Sequence, residues 1–353
     1  MCTIGRLGFA LSEKRKGKDM SGKFVRFSAA LAASVAIVAM AGSAAAKELH
    51  VAFLAASSQN GFNQAIYEGI KRRAEKIGGV TVAIFDGEFN ATKQYSQVED
   101  VTTSGKFDAL IICPNDSVGI ATAVGEATKA GLKVATTLFP IGPKLDTLEP
   151  QVQGLTATVA SNPAIGAKEQ AQAVVDYCTG KDPCNVVIII GQKIYPFDNL
   201  RLKTFNDTLA GHANIHVVAT VEGNYDPNKS MAGMQDVLQA HKDINAILSN
   251  ADQHVVGAEI ALEDAGIKPQ SLYISGGGAS QIAIDAIRAG KWQATLAYFP
   301  VSMGEYALQA VVDALNGKTV NPVVDSDKIG PVPALITKDV LDKNPDFKGE
   351  WKG

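Results

Sequence analysis

Residues 49–77 read LHVAFLAASSQNGFNQAIYEGIKRRAEKI and hold one complete unit of the fold. The run from Leu49 to Ala55 is short and apolar and ends at polar residues, as a strand of a parallel sheet buried on both faces requires. A loop follows, Ser57-Ser58-Gln59-Asn60-Gly61-Phe62-Asn63. Beyond it Ile66, Gly69, Ile70, Arg73, Ala74 and Ile77 recur at the 3.6-residue period of a helix with one packing face.

The same rhythm runs outward from this unit. A first block places strands at 49–55, 80–85, 109–113 and 132–136, with helices over 64–77, 91–104 and 119–130. A second places strands at 186–190, 215–220, 246–249, 272–274 and 294–297, with helices over 199–209, 229–240, 254–265 and 279–289. Two alternating sets predict an α/β protein of two doubly wound parallel-sheet domains. The joint is expected at 156–162, where Pro163 follows a polar stretch. A further helix over 302–315 and a strand-sized, Pro-rich tail close the chain, and the tail offers another passage between domains.

Ligands of open parallel sheets bind beyond the carboxyl ends of the strands. In the first block those ends supply Asn60, Phe62 and Asn63, then Asn115 beside Asp116, then Leu138 and Phe139. In the second they supply Phe197 and Asn199, Tyr225, Asp252 behind Asn250-Ala251, and Gly277. Aromatic faces stack on the apolar face of a sugar or ring, while amides and carboxylates bond its hydroxyls. Plainer roles exist for each: Asn63, Asp116, Asp198 and Asp252 suit helix N-caps, and Phe62 and Phe197 suit lids on the core.

Other chemistries find no support. Ser275-Gly276-Gly277-Gly278 has consecutive glycines followed by Ala279-Ser280-Gln281, which is not the dinucleotide fingerprint. Of the five histidines only His254 lies near a strand end, and no Ser/His/Asp or Cys/His set joins it. No cysteine or histidine cluster has metal-ligand spacing, so neither metal nor cofactor is expected.

Lys23 and Arg26 precede an apolar run from Phe27 to Ala41, and Ala44-Ala45-Ala46 follows. That order predicts a secretory signal peptide over 1–46, cleaved near Ala46, with Met20 an alternative start that leaves 1–19 untranslated. The run is shorter than the roughly 20 residues a membrane-spanning helix needs. The whole chain has a formal charge of −3, and without seven basic and two acidic leader residues it holds 26 basic against 34 acidic, near −8. An acidic chain with no basic stripe is no nucleic-acid binder. Cys178 and Cys184 bracket a five-residue loop and are expected to be bridged in an oxidising compartment, whereas Cys113 reads as a buried small hydrophobe.

Taken together, Val51-Ala52-Phe53-Leu54 leading to Asn60-Gly61-Phe62, Gln97-Val98-Glu99-Asp100 before Asp108-Ala109-Leu110-Ile111, Asn115-Asp116-Ser117, Ala246-Ile247-Leu248 through Asp252, and Leu296 to Pro300 carry a resemblance. The chain resembles the periplasmic sugar-binding proteins of ATP-driven importers, in the cluster typified by the D-ribose-binding protein, with the type I periplasmic binding fold. The resemblance implies two lobes joined by a three-crossing hinge, 47–158 plus 298–329 and 159–297 plus 330–353. It implies a monomer in the periplasm that delivers a small molecule to inner-membrane permease subunits.

The pocket departs from the ribose pattern. Asn63 stands where the family has a second aromatic, and Leu138-Phe139 where it has an Asp-Arg pair. The family's Arg falls at Asn199, with Arg201 nearby; its Asn at Ala251, its Asp at Gly277 and its Gln at Tyr298. Losing those charged partners tells against a fully hydroxylated pyranose, because polar groups buried without partners are penalised. A short polyol, a deoxy or modified sugar, or a small cyclic compound is expected instead. Two other readings fit the same residues: a receptor that reports its ligand to a chemoreceptor or kinase, and a secreted α/β enzyme lacking a recognisable catalytic set.

Overall fold

Seven residues, Leu49–Ala55, form β1 at the heart of the first sheet, with Val51 to Ala55 fully buried. The computed structural model describes residues 48–353, so the expected leader lies outside the described residues. From β1 the chain runs through α1 (Gly61–Ile77), β2 (Val80–Asp86), α2 (Ala91–Ser104), β3 (Ala109–Ile112), α3 (Ala121–Lys129), β4 (Lys133–Leu138) and β5 (Leu155–Ala160). The second lobe follows as α4 (Pro163–Cys178), β6 (Cys184–Ile190), α5 (Pro196–Leu209), β7 (Ile215–Glu222), α6 (Pro227–Ala240) and β8 (Ala246–Ser249). It continues with α7 (Asp252–Asp264), β9 (Tyr273–Gly277), α8 (Gln281–Arg288) and β10 (Ala294–Leu296). Then come α9 (Pro300–Leu315), β11 (Val323–Asp325), β12 (Leu335–Thr337) and α10 (Lys338–Lys343).

The sheets have orders β11-β5-β4-β3-β1-β2 and β12-β10-β9-β8-β6-β7. Every pairing is parallel except β12 against β10. The chain therefore passes between sheets three times, after β5, after β10 and after β11. Each sheet is apolar on both faces, with separate clusters around Phe53 and Leu54 in one lobe and Ile189 and Ile188 in the other. Burying one such side chain stabilises by roughly 1.5–3 kcal/mol.

Helix α9 returns to the first lobe and packs on α1. Their crossing is backbone on backbone: a Cβ at Gly69 would lie 1.9 Å from the Val301 carbonyl oxygen, and one at Gly304 would lie 2.1 Å from that of Ile66. In the second lobe Cys178 and Cys184 are joined by a disulfide that ties the end of α4 to the start of β6.

Several elements lie beyond the sequence reading. Strand β5 and the helices α4 and α10 are additions, and the strand-sized tail resolves into two strands, β11 and β12, on either side of the last passage. Strand β5, Leu-Thr-Ala-Thr-Val-Ala, has only two large apolar residues, which hides a strand inside what reads as a polar joint. Helix starts also move upstream, α1 to Gly61, α5 to Pro196, α6 to Pro227 and α7 to Asp252. Asn60 and Asp226 cap α1 and α6 through their side chains, and Pro opens α5 and α6, all ahead of the apolar period. Strand-end loops are thus shorter, and several candidate site residues sit in first helical turns.

Candidate functional site

Loops from the carboxyl ends of both sheets line one narrow cavity of about 60 Å³, to which both lobes contribute. On the first lobe, Asn60 Oδ1 accepts from the Phe62 and Asn63 main-chain N–H groups at 3.0 and 3.3 Å, which fixes the first turn of α1. Asn63 Oδ1 accepts from the Ala56 N–H at 3.0 Å, so Asn63 pins the preceding loop rather than capping the helix. Buried Gln94, from α2, accepts from the Asn115 N–H at 2.7 Å and donates to the Cys113 carbonyl at 2.8 Å. Asn115 in turn donates to the Ala56 carbonyl at 3.1 Å. Leu138 ends β4 at φ 69°, an uncommon conformation for a side chain of this size, and Phe139 follows it into the cavity wall.

The second lobe supplies a charged network. Asp198, 0% exposed, accepts from the Tyr225 hydroxyl at 2.7 Å, Asn250 Nδ2 at 2.8 Å, the Gln192 N–H at 2.8 Å and Arg201 Nη1 at 3.4 Å. Arg201, 3% exposed, also donates from Nη2 to the Tyr298 hydroxyl at 3.0 Å. Its guanidinium lies 4.7 Å from the centre of the Phe139 ring, a cation–π contact between lobes. Burial lifts the Asp198 carboxyl above its ordinary value, opposed by Arg201 and by the bonds it accepts. Burial also works against the guanidinium charge, but the surrounding Tyr298, Tyr225 and Asp198 hold its proton firmly.

His254 is spent on architecture. Its Nε2 accepts from the Tyr225 N–H at 2.8 Å, which leaves Nδ1 as the protonated nitrogen 3.0 Å from Ser249 Oγ. Burial pushes its pKa down to about 3, so the ring is neutral. It steadies Tyr225, which holds φ 56° at the mouth of the cleft. Among the described residues no His, Cys, Asp or Glu group is arranged to hold a metal ion.

Aromatic pairs join the lobes. Phe139 stacks on Phe197 with centroids 4.0 Å apart and planes at 20°, and Phe89 stacks on Tyr225 at 5.6 Å and 23°. The Tyr195 hydroxyl donates to the Phe89 carbonyl across the same gap. Three buried polar atoms of the cavity wall have no partner: Asn115 Oδ1, Asn250 Oδ1 and Arg201 Nε.

The cavity brings together Asn60, Phe62, Asn63, Asn115, Leu138, Phe139, Phe197, Tyr225, Gly277 and Tyr298. It does not include Asn199 or Asp252. Asn199 is exposed on α5 and donates to the Lys193 carbonyl at 2.6 Å; the inward face of that helix carries Phe197 and Arg201, one turn apart. Asp252 is buried behind the wall, where it accepts from the Ser280 N–H and the Thr295 hydroxyl at 2.7 Å each. Burial pushes its carboxyl up to about 6 against those bonds. The glycine run serves close packing: a Cβ at Gly277 would sit 2.5 Å from the Asn250 carbonyl oxygen.

The wall also holds Phe89 and Trp351, which the sequence reading leaves out, and Tyr195, Asn250 and Gln253, which it reaches only as members of strand-end segments. Tyr195 and Gln253 lie in the strand-end segments Tyr195–Asn199 and Asn250–Gln253, and Phe89 follows the end of β2, so the strand-end rule reaches all of these. Trp351 follows no strand end and has no such signal.

The profile described as "periplasmic binding protein domain" matches residues 51–319. The chain belongs to that family. This periplasmic binding protein is 28% identical over 286 residues to the ribose import binding protein of Bacillus subtilis, covering 79% of this chain and 86% of that one. It is 27% identical over 249 residues to the galactofuranose-binding protein of Escherichia coli, covering 70% and 76% respectively. A solved solute-binding protein of Mycobacterium smegmatis with bound glycerol superposes with a TM-score of 0.72 at 25% identity, covering 86% of this chain and 99% of that one. Among the described residues of this binding protein, no helix is long and apolar enough to cross a membrane.

Proposed function

We propose that this chain is the periplasmic component of an ATP-driven importer and takes up a small, neutral, sparsely hydroxylated sugar or polyol between its lobes. The single observation that carries the ligand class is the wall itself. Phe62, Phe139, Phe197 and Tyr298 offer apolar faces, while the one charged side chain on it, Arg201, pairs with the buried Asp198 behind it. A charged ligand has no free counter-charge there, and a neutral ring with few hydroxyls finds Asn115, Asn250 and Arg201 with hydrogen-bonding capacity in hand. Leu138-Phe139 on the wall penalises a ligand that presents hydroxyls on that side. The relatives named for ribose import and galactofuranose binding, and the structure holding glycerol, support compact polyhydroxy ligands.

The lobes of this reading are 47–158 plus 298–329 and 159–297 plus 330–353, with the first passage taken just after β5, at Ala160, instead of at 158. The ligand bonds to both, so it binds the closed form more tightly and shifts the hinge equilibrium toward it. Permease subunits in the inner membrane then meet a closed monomer.

A thermal-shift screen of the mature protein against pentoses, hexoses, deoxy sugars, short polyols and inositols tests this. A ligand that binds only the folded state raises the melting temperature. The expected result is a clear shift for a short polyol, a furanose-forming pentose or a deoxy sugar. A shift confined to rings bearing every hydroxyl, hexopyranoses or inositols, contradicts the ligand class.

A further inference from the structure

The last five residues lie against both lobes at the edge of the cavity. Toward the second lobe, the Trp351 and Lys352 carbonyls accept from the Gln281 and Ile282 N–H groups at 2.8 and 3.1 Å, capping the start of α8. Trp351 Nε1 donates to the Gly278 carbonyl at 2.6 Å. Gly278 is held at φ 122°, and a Cβ there would meet the indole at 2.6 Å, so the loop is shaped to admit this ring. Toward the first lobe, Glu350 accepts from the Ser302 N–H at 3.1 Å and from its hydroxyl, capping the start of α9. The indole, 6% exposed, meets Phe62 edge-on with centroids 5.5 Å apart.

We propose that Gly349–Gly353 is a working part of the binding site: it links the lobes without a covalent crossing and presents Trp351 as a specificity-determining wall for the ligand's apolar face. Half of this rests on the ligand reading above. The strap itself rests on contacts alone. Phe62 and Trp351 at right angles form a corner, which suits a small ring and excludes a substituent projecting toward Gly278. Opening of the cleft has to break either the Glu350–Ser302 pair or the caps on α8, so the tail adds to the stability of the closed form.

The chain has two tryptophans, and Trp292 is buried in the second lobe with its Nε1 bonded to Glu259, away from the cavity. The variant W292F therefore reports Trp351 alone. In ligand-free W292F the emission is expected to resist acrylamide quenching, and adding E350Q should make it readily quenched. An indole quenched freely in W292F, or a strap unaffected by E350Q, overturns the link between lobes. Myo-inositol, L-arabinose and glycerol are then titrated, each first checked for a rise in melting temperature. A probe that raises it should change W292F emission and bind W351A about tenfold or more weakly, with W351F intermediate. Unchanged emission in W292F and unchanged affinity in W351A overturn the wall. If no probe raises the melting temperature of the parent protein, the ligand reading and the wall fall together while the quenching result still decides the strap.

Discussion

Asp327 sits on the third passage between lobes, just after β11, with Oδ1 buried and unpartnered. Burial pushes its carboxyl from 3.8 up to about 7, helped by Asp325 and Glu169 and opposed by Lys328 and Arg201. The folded protein keeps this proton where the unfolded chain releases it. Its stabilising effect is therefore full below the unfolded value and lost as pH rises through about 7. Asp327→Asn should raise the melting temperature at about pH 8 and change it little at about pH 4; an equal effect at both, read by thermal melts, contradicts this. Gln94 carries a second expectation. Gln94→Ala strands the Asn115 N–H and the Cys113 carbonyl in the interior and should destabilise by about 1–3 kcal/mol in urea denaturation, with weaker ligand binding. Neither residue announces itself in sequence, since a buried glutamine looks like any surface one. Asn60 and Phe62 were legible because a strand end, an amide and an aromatic coincide. Asn199 lies outside the cavity for a helical reason: α5 starts three residues early at Pro196, which turns residue 199 outward and residue 201 in.

Helices α1 and α9 meet where each has a glycine, and that contact holds the returning segment to the first lobe. Gly69→Ala and Gly304→Ala each force a methyl into a carbonyl of the partner helix, and each should destabilise by about 1–3 kcal/mol in urea denaturation. Loss below a few tenths in both would mean the helices move apart freely. The Cys178–Cys184 bridge closes a short loop with a sequence separation of six. Reducing it should lower unfolding stability by about 2 kcal/mol on the loop-entropy account. Periodicity exposed the long, bulky elements well, because alternation of apolar strand and amphipathic helix is what two buried parallel sheets demand. It missed β5 and α4, in which alanine and threonine do the packing and little contrast separates inside from outside. It offered one strand-sized tail where β11 and β12 stand, three residues each, whose place depends on a neighbouring strand more than on their own sequence.

Two lobes, three passages and a cavity walled from both sides make a molecule whose closure is coupled to what lies between them. Stacking of Phe139 on Phe197 and of Phe89 on Tyr225 contributes to the closed form, and a ligand adds its own contacts to both lobes. The two-lobed plan was readable from the doubled strand-helix rhythm, but the lobe-to-lobe contacts were not, because such pairs as Phe139 with Phe197 and Phe89 with Tyr225 are distant in sequence. Hydrogen exchange of the mature protein, with and without the sugar or polyol that most raises its melting temperature, tests the central claim most directly. Uptake between the lobes predicts slower exchange in both walls together, around Phe62 and Asn115 in one lobe and around Arg201, Asn250 and Gly277 in the other. Protection confined to one lobe, or located away from the cavity, would contradict it.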